Sequence, residues 1–358
     1  MQLIIPMAGS STRFPGVKPK WMLTHPSGQY MALEAIQGLP LDNFEKLHFV
    51  YLQEHEDKFH FLKGFQEEIE SLGLKHKAVM TPLPEATKDQ PETVLRVIAM
   101  REINGPILIK DSDNYLKAEI PEGNSVCFGS LNECGLIKPQ NKSYIEVTLE
   151  GFLTNIVEKQ VVSPYFCVGA YGFREAGEFV RACEALPMNH GRYISNIIYQ
   201  LILEGVMFRA VPTVKYNDWG TLEDWRRFQS SYATVFVDLD GTLFKNSSSH
   251  FPPYVGESEV LEDNMKAIRE LQGTGRFEII VTTARAERFR DLTLKQLAEH
   301  GVTPNHLMMG LQHSKRIIIN DYAKSNPYKS CDAVNLKRNS DNLRELLQES
   351  LGIDFDGQ

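Results

Sequence analysis

Along the first 110 positions, apolar residues recur in two alternating spacings. Short runs rich in β-branched and other apolar residues, LIIP at 3–6, LHFVYL at 47–52, HKAVM at 76–80 and PILIK at 106–110, are bounded by turn residues and predict strands. Between them MALEAIQGL (31–39), KFHFLKGFQEEIESLG (58–73) and PETVLRVIAMREI (91–103) repeat apolar positions at helical spacing. Such alternation predicts right-handed crossovers and a parallel sheet covered by helices on both faces. The spacing then changes. SVCFGSL (125–131), YIEVTLE (144–150), GFLTNIVEKQ (151–160) and YFCVGAYGF (165–173) predict close-set strands, antiparallel or mixed, followed by helices near 175–186 and 193–204 and a strand near 206–211. After LEDWRRFQSSY the word TVFVDLDGT restarts the strand–loop–helix rhythm, which sets domains at 1–231 and 232–358. In the second, strands are expected at 234–238, 277–281, 316–320 and 331–335 and helices at 259–272, 285–300 and 340–350. The fold class is therefore α/β, in two domains.

A chain of 358 residues exceeds what one core usually serves, in keeping with that division. Its composition, 42% hydrophobic and 23% charged, excludes disorder and a disulfide scaffold. Net charge of −8 argues against a nucleic-acid partner. Cys127, Cys134, Cys167, Cys183 and Cys331 are scattered and contain no C-x-x-C pair, which disfavours zinc and suits a reducing compartment. No apolar run approaches a membrane span, and MQLIIPMAG lacks the basic start of a signal peptide, so a cytoplasmic protein without a membrane partner is expected. The apolar helix at 194–205 leaves a homo-oligomer open, core packing being favoured.

Candidate chemistry begins directly after the first strand. In IIPMAGSSTRFPGVKPKWML (4–23), the small residues Ala8, Gly9, Ser10 and Ser11 let backbone N–H groups approach phosphate oxygens, and Arg13 and Lys20 flank the loop with positive charge. By itself this could be a glycine–serine turn. Taken whole, it resembles the signature of the sugar-1-phosphate nucleotidylyltransferases, with its G-x-x-x-R-F loop and P-K-x-x-L. Three later words keep the family's order: IKDSDNYL with Asp111, VEKQ with Glu158 and Lys159, and YNDWGTLEDW with Asp218. Each has an ordinary alternative in a turn, a solvated strand end or a helix cap. The resemblance spans about residues 1–230. It implies a Rossmann-like, mixed-sheet nucleotidyltransferase domain in which Ala8, Gly9, Ser10 and Ser11 cradle the nucleotide and Gln90 lies near the base. Arg13 and Lys20 would stabilise the departing pyrophosphate and the transition state. Asp111 and Asp218 would hold Mg²⁺, and Lys159 the acceptor phosphate. Pro91–Glu92–Thr93 replaces the family's usual Gly-Thr-Ala, which leaves the base open, with CTP and UTP favoured.

VFVDLDGTLF (235–244) sets Asp238 and Asp240 just beyond an apolar strand, an arrangement that calls for a cation. It resembles the first motif of the haloacid dehalogenase superfamily. FEIIVTTAR (277–285) then matches the second motif through Thr283, with Thr282 as the alternative. Lys315 is the choice for the third, with Arg316 and Lys329 nearby, and RIIINDYA supplies Asp321 for the fourth. Asn320 stands where the family more often has a second acid. By this resemblance the domain is a capless, Rossmannoid phosphatase. Asp238 would be the nucleophile and Asp240 the acid and base, with Thr283 and Lys315 holding the phosphoryl oxygens. A second Mg²⁺ would sit on Asp238, Asp321 and the carbonyl of Asp240. Together the resemblances imply a bifunctional enzyme: an NTP and a sugar or polyol phosphate give pyrophosphate and an activated product, and a phosphate monoester is hydrolysed, for capsule or surface-polysaccharide precursors. The rivals are a chain with only one live domain and a nucleotide-sensing binding protein. A dinucleotide oxidoreductase is excluded, because its glycine fingerprint is absent.

Overall fold

A computed structural model describes residues 1–9, 18–133, 138–187, 192–321, 330–353 and 355. The chain divides into two compact units, Met1–Gln229 and Ser230–Gln358. Among the described residues no helix is long and apolar enough to cross a membrane.

In the first unit, β1 (Gln2–Pro6), α1 (Met31–Glu34), β2 (Lys46–Leu52), α2 (Gln53–Phe59), α3 (Leu62–Ser71), β3 (Ala78–Leu83), α4 (Gln90–Met100) and β4 (Ile107–Lys110) keep the strand–helix alternation. There follow β5 (Asn114–Lys117), β6 (Ser125–Ser130), β7 (Ser143–Val147), β8 (Leu153–Glu158) and β9 (Tyr165–Phe173). The unit closes with α5 (Ala176–Ala185), α6 (Ile194–Leu203), β10 (Arg209–Pro212), β11 (Lys215–Asp218) and α7 (Leu222–Ser230). The main sheet runs β10-β6-β9-β4-β1-β2-β3, with β7 on β9 and β8 on β7. The β4-β1-β2-β3 part is parallel and β9 runs antiparallel to both β4 and β6. Strand alternation divides the apolar residues between two cores. Ile4, Ile107 and Ile109 enter one, while Leu3, Ile5 and Leu108 enter the other. β3 lies at the sheet's edge, where its Pro82 costs no ladder bond.

Two expected helices are cut short. The one at 58–73 is broken by His60, whose φ of +48° ends α2 before α3 begins. The one at 31–39 is helical only over α1, and Gly38 beyond it backs directly onto the Leu116 carbonyl, leaving no room for a side chain.

The second unit holds β12 (Ala233–Asp238), α8 (Glu262–Gly273), β13 (Phe277–Thr282), α9 (Arg290–Glu299), β14 (His306–Met308) and α10 (Leu343–Leu351). Its parallel sheet runs β12-β13-β14 over its own apolar cluster. The strands expected at 316–320 and 331–335 do not form. Neither segment joins a ladder, and Ile317, Ile318 and Ile319 are exposed. β-Branched residues suit a strand, yet a strand also needs a neighbour for its N–H and C=O groups, and the fold supplies none here.

Candidate active site

β1 lies between β4 and β2, while the chain returns from edge strand β3 to β4 on the far side of β1. The strand order therefore reverses between β1 and β4, the position where open α/β sheets bind ligands at the carboxyl ends of their strands. Both adjoining loops carry candidate residues. Ala8 is buried, whereas a side chain on Gly9 would meet nothing within 4 Å, so this backbone borders open space. Ser10, Ser11 and Arg13 lie outside the described residues. The cleft has a volume of about 260 Å³ and is lined by Gly9, Lys20, Lys88, Gln90, Asp111 and Asp113 among others.

Lys20 opens a short helical turn anchored by buried Trp21, which packs edge-on against Phe61 and Phe65. Its ammonium pairs with Asp113. Asp111 follows β4, and its backbone N–H donates to the Gly169 carbonyl at 2.8 Å. Gln90, at the start of α4, donates from Nε2 to Asp111 Oδ1 at 2.5 Å, so the structure sets this side chain against the carboxylate. Burial and the neighbouring Asp113 raise the Asp111 pKa, while Lys110 and Lys20 oppose the rise. Lys110 is itself wholly buried, and its three protons meet three acceptors: the carbonyls of Asp111 and Asn114 and Asn114 Oδ1, at 2.7, 2.9 and 2.7 Å. Burial brings its pKa down to about 8.

Asp218 ends β11, which pairs antiparallel with β5 and sets Asp218 opposite Asn114, three residues beyond Asp111. Its Oδ1 accepts from the Gly220 N–H at 3.1 Å, and its Oδ2 pairs with Lys142 at 2.6 Å. Lys159, just past β8, has a φ of +55°; its ammonium bonds the Tyr193 hydroxyl and lies 4.3 Å from the centre of that ring. Glu158 accepts from Ser143 and, at 2.6 Å, from Ser195. Lys142 and Tyr193 belong to no sequence word. Only the hairpin and α6 bring them here.

Among the described residues no three His, Cys, Asp or Glu side chains converge on a metal position. Asp111 and Asp218 nevertheless fit Mg²⁺ in donor type. Two carboxylates suffice when phosphate oxygens and water complete the shell; Asp111 lines the cleft, whereas Asp218 is not among its lining residues.

In the second unit Asp238 ends β12, and its pKa is raised by burial and by Asp240. Asp240 is gripped by Arg285, which bonds Oδ1 and Oδ2 through Nε and Nη2 at 2.8–3.1 Å and reaches α9 at Thr293 and Gln296. Thr283 Oγ1 donates to Asp240 Oδ2 at 3.1 Å, and Ser247 to Oδ1 at 3.0 Å. Arg285 was present in the TTAR word but carried no expected role. Lys315 and Asp321 are exposed, and the structure does not gather Asp321 with Asp238 and Asp240. Asp321 is what the expected ligand set lacks: with it exposed and apart from Asp238, the described residues assemble no metal position in this unit.

No known family's sequence pattern matches the chain, and no curated protein matches it. Solved structures do resemble its N-terminal part. A nucleoside-diphosphate-sugar pyrophosphorylase from Vibrio cholerae RC9 is 20% identical with a TM-score of 0.50, covering 63% of this chain and 99% of its own. The inositol-1-phosphate CTP transferase from T. maritima is 12% identical with a TM-score of 0.52, and a putative glucose-1-phosphate thymidylyltransferase from Bacillus anthracis 20% with 0.50; each covers 64% of this chain and 93% of its own. At these identities the likeness is one of fold: the N-terminal part has the Rossmann-like mixed α/β fold of sugar-phosphate nucleotidylyltransferases.

Proposed function

We propose that the first unit transfers a nucleotidyl group from a nucleoside triphosphate, CTP or UTP, to a sugar or polyol phosphate and releases pyrophosphate. The observation that carries this reading is the half-buried Asp111 carboxylate in one cleft with the Lys20–Asp113 pair, where the strand order reverses. The fold it shares with nucleotidyltransferases supports the same reading. A phosphate oxygen of the acceptor attacks the α-phosphorus, and the bond to the β-phosphate breaks as pyrophosphate departs. Little proton chemistry is needed, so the work is positioning and charge neutralisation. The backbone of Ala8 and Gly9, with Ser10 and Ser11, would bind the nucleotide, and Gln90 would line the site. Lys20 and Arg13 would receive charge on the leaving pyrophosphate, and Lys159 would hold the acceptor phosphate. Bound to Asp111 and Asp218, Mg²⁺ would neutralise phosphate charge at the reacting centre.

The test is pyrophosphate release with Mg²⁺, each nucleoside triphosphate and a panel of sugar and polyol phosphates. Asp111→Asn is expected to lower kcat/KM at least about 100-fold in a chain that still folds. If no pair of substrates yields pyrophosphate with the unaltered chain, the reading is wrong, and a nucleotide-binding protein that does no chemistry takes its place.

Hydrolysis of a phosphate monoester by the second unit is a further reading, favoured by Asp238 at a strand end beside Asp240 and Thr283. Asp238 would attack phosphorus and expel an alcohol, leaving an aspartyl-phosphate that water then cleaves to phosphate and the free carboxylate; Asp240 would carry the protons once released from Arg285. The two activities would suit consecutive steps toward surface-polysaccharide precursors. Phosphate release that survives Asp238→Asn would leave the first unit as the live one.

A further inference from the structure

Tyr216 and Asp218 are alternate residues of β11 and project to one face of it. Into that face comes Lys142, whose Nζ bonds the Tyr216 hydroxyl at 2.9 Å and Asp218 Oδ2 at 2.6 Å. The side chains of Lys142 and Asp218 are only 19% and 18% exposed. Lys142 immediately precedes β7, and its carbonyl accepts the Lys159 N–H at 3.1 Å, so the ammonium is anchored to the hairpin that carries the acceptor lysine. With Gly220 N–H on Oδ1, both oxygens of Asp218 are already engaged within the chain.

From this geometry we infer that Lys142 is a resident cation on Asp218 which a divalent metal must displace, so that the chain sets the metal's affinity for the first site. The inference rests on the reading of Asp218 as a metal carboxylate. Mg²⁺ approaches oxygen to about 2.1 Å, and an ammonium held on the same carboxylate repels it. A lysine suits the task. Its stem is flexible, its charge is a compact point, and Tyr216 gives the ammonium a neutral partner close by. Charge on Asp218 is thus balanced before substrate arrives, and the balancing group can leave.

Mn²⁺ alone serves as the probe, titrated into the full-length chain and followed by water-proton relaxation, with Asp238→Asn present throughout to silence the second unit. Lys142→Met is expected to bind Mn²⁺ about tenfold more tightly than its parent, because the repelling charge is gone. Lys142→Gln, which keeps hydrogen-bonding capacity, should change affinity in the same direction. Once Asp218→Asn is added, the lysine substitution should make no difference. Equal or weaker Mn²⁺ affinity in both lysine variants overturns the inference, as does a parent and variants without saturable binding. Neither nucleotide nor acceptor enters the titration, so a failure to release pyrophosphate would count against the transferase reading alone.

Discussion

Gly169 has a φ of +78°, and a Cβ there would run into the Asp111 carboxylate and the Asn114 amide. A glycine inside a strand that marks a close approach is a familiar use of the residue; here the approach is by the candidate metal ligand itself. Lys110 then ties the backbone of the same turn through the carbonyls of Asp111 and Asn114. His48 is the residue whose burial is most legible as a pH effect. It is 3% exposed, its Nε2 is 2.7 Å from Gln2 Oε1, and burial aided by Arg101 and Lys46 pushes its pKa down to about 4. Between about pH 6.5 and 4 the unfolded chain therefore binds a proton that the native chain refuses. The contribution is whole above pH 6.5 and is lost as pH falls through that window. His48→Gln should flatten the acid side of the first unit's stability profile, read by thermal unfolding from pH 7 to 4; parallel profiles would sink this account.

At the scale of elements, β12, β13 and α9 are joined through one guanidinium. Arg285 follows β13, bonds Asp240 beyond β12, and donates to Thr293 and Gln296 of α9 at 3.2 and 2.7 Å. Removing one partner of a buried pair leaves the other charge uncompensated, at a cost of about 3–5 kcal/mol. Arg285→Met should destabilise the second unit by that order, and Arg285→Lys should not restore it, because an ammonium cannot reproduce the fork. Adding Asp240→Asn to Arg285→Met should recover part of the loss. Urea unfolding measures all three, and a loss below about 1 kcal/mol in Arg285→Met would show the clamp to be idle. The segment at 316–320 teaches the opposite lesson: three consecutive isoleucines have high strand propensity, yet without a paired neighbour they form no element.

For the molecule as a whole, each unit has apolar clusters of its own among the described residues, that of the second built around Val237, Leu239, Ile268, Ile279 and Val281. Calorimetry should accordingly resolve two transitions, and a nucleotide bound with Mg²⁺ should move only that of the first unit. At about 100 times its dissociation constant a ligand adds about 2.7 kcal/mol, a shift of about 5–11 °C for a unit of this size. Asp111→Asn should remove the shift and Asp238→Asn should not; a shift in both transitions would contradict separate sites. The division of labour between sequence and structure follows the same logic. Strand–helix alternation, the small-residue loop after β1 and the aspartates at strand ends could all be read from the sequence, because each depends on neighbours a few residues away. Lys142 on Asp218, Tyr193 on Lys159, Arg285 on Asp240 and the unpaired isoleucines could not. Those contacts join positions 34 to 76 residues apart or depend on the register of distant strands, such as β5 against β11. Local pattern places an acid at the end of a strand; only the packed fold decides which cation meets it.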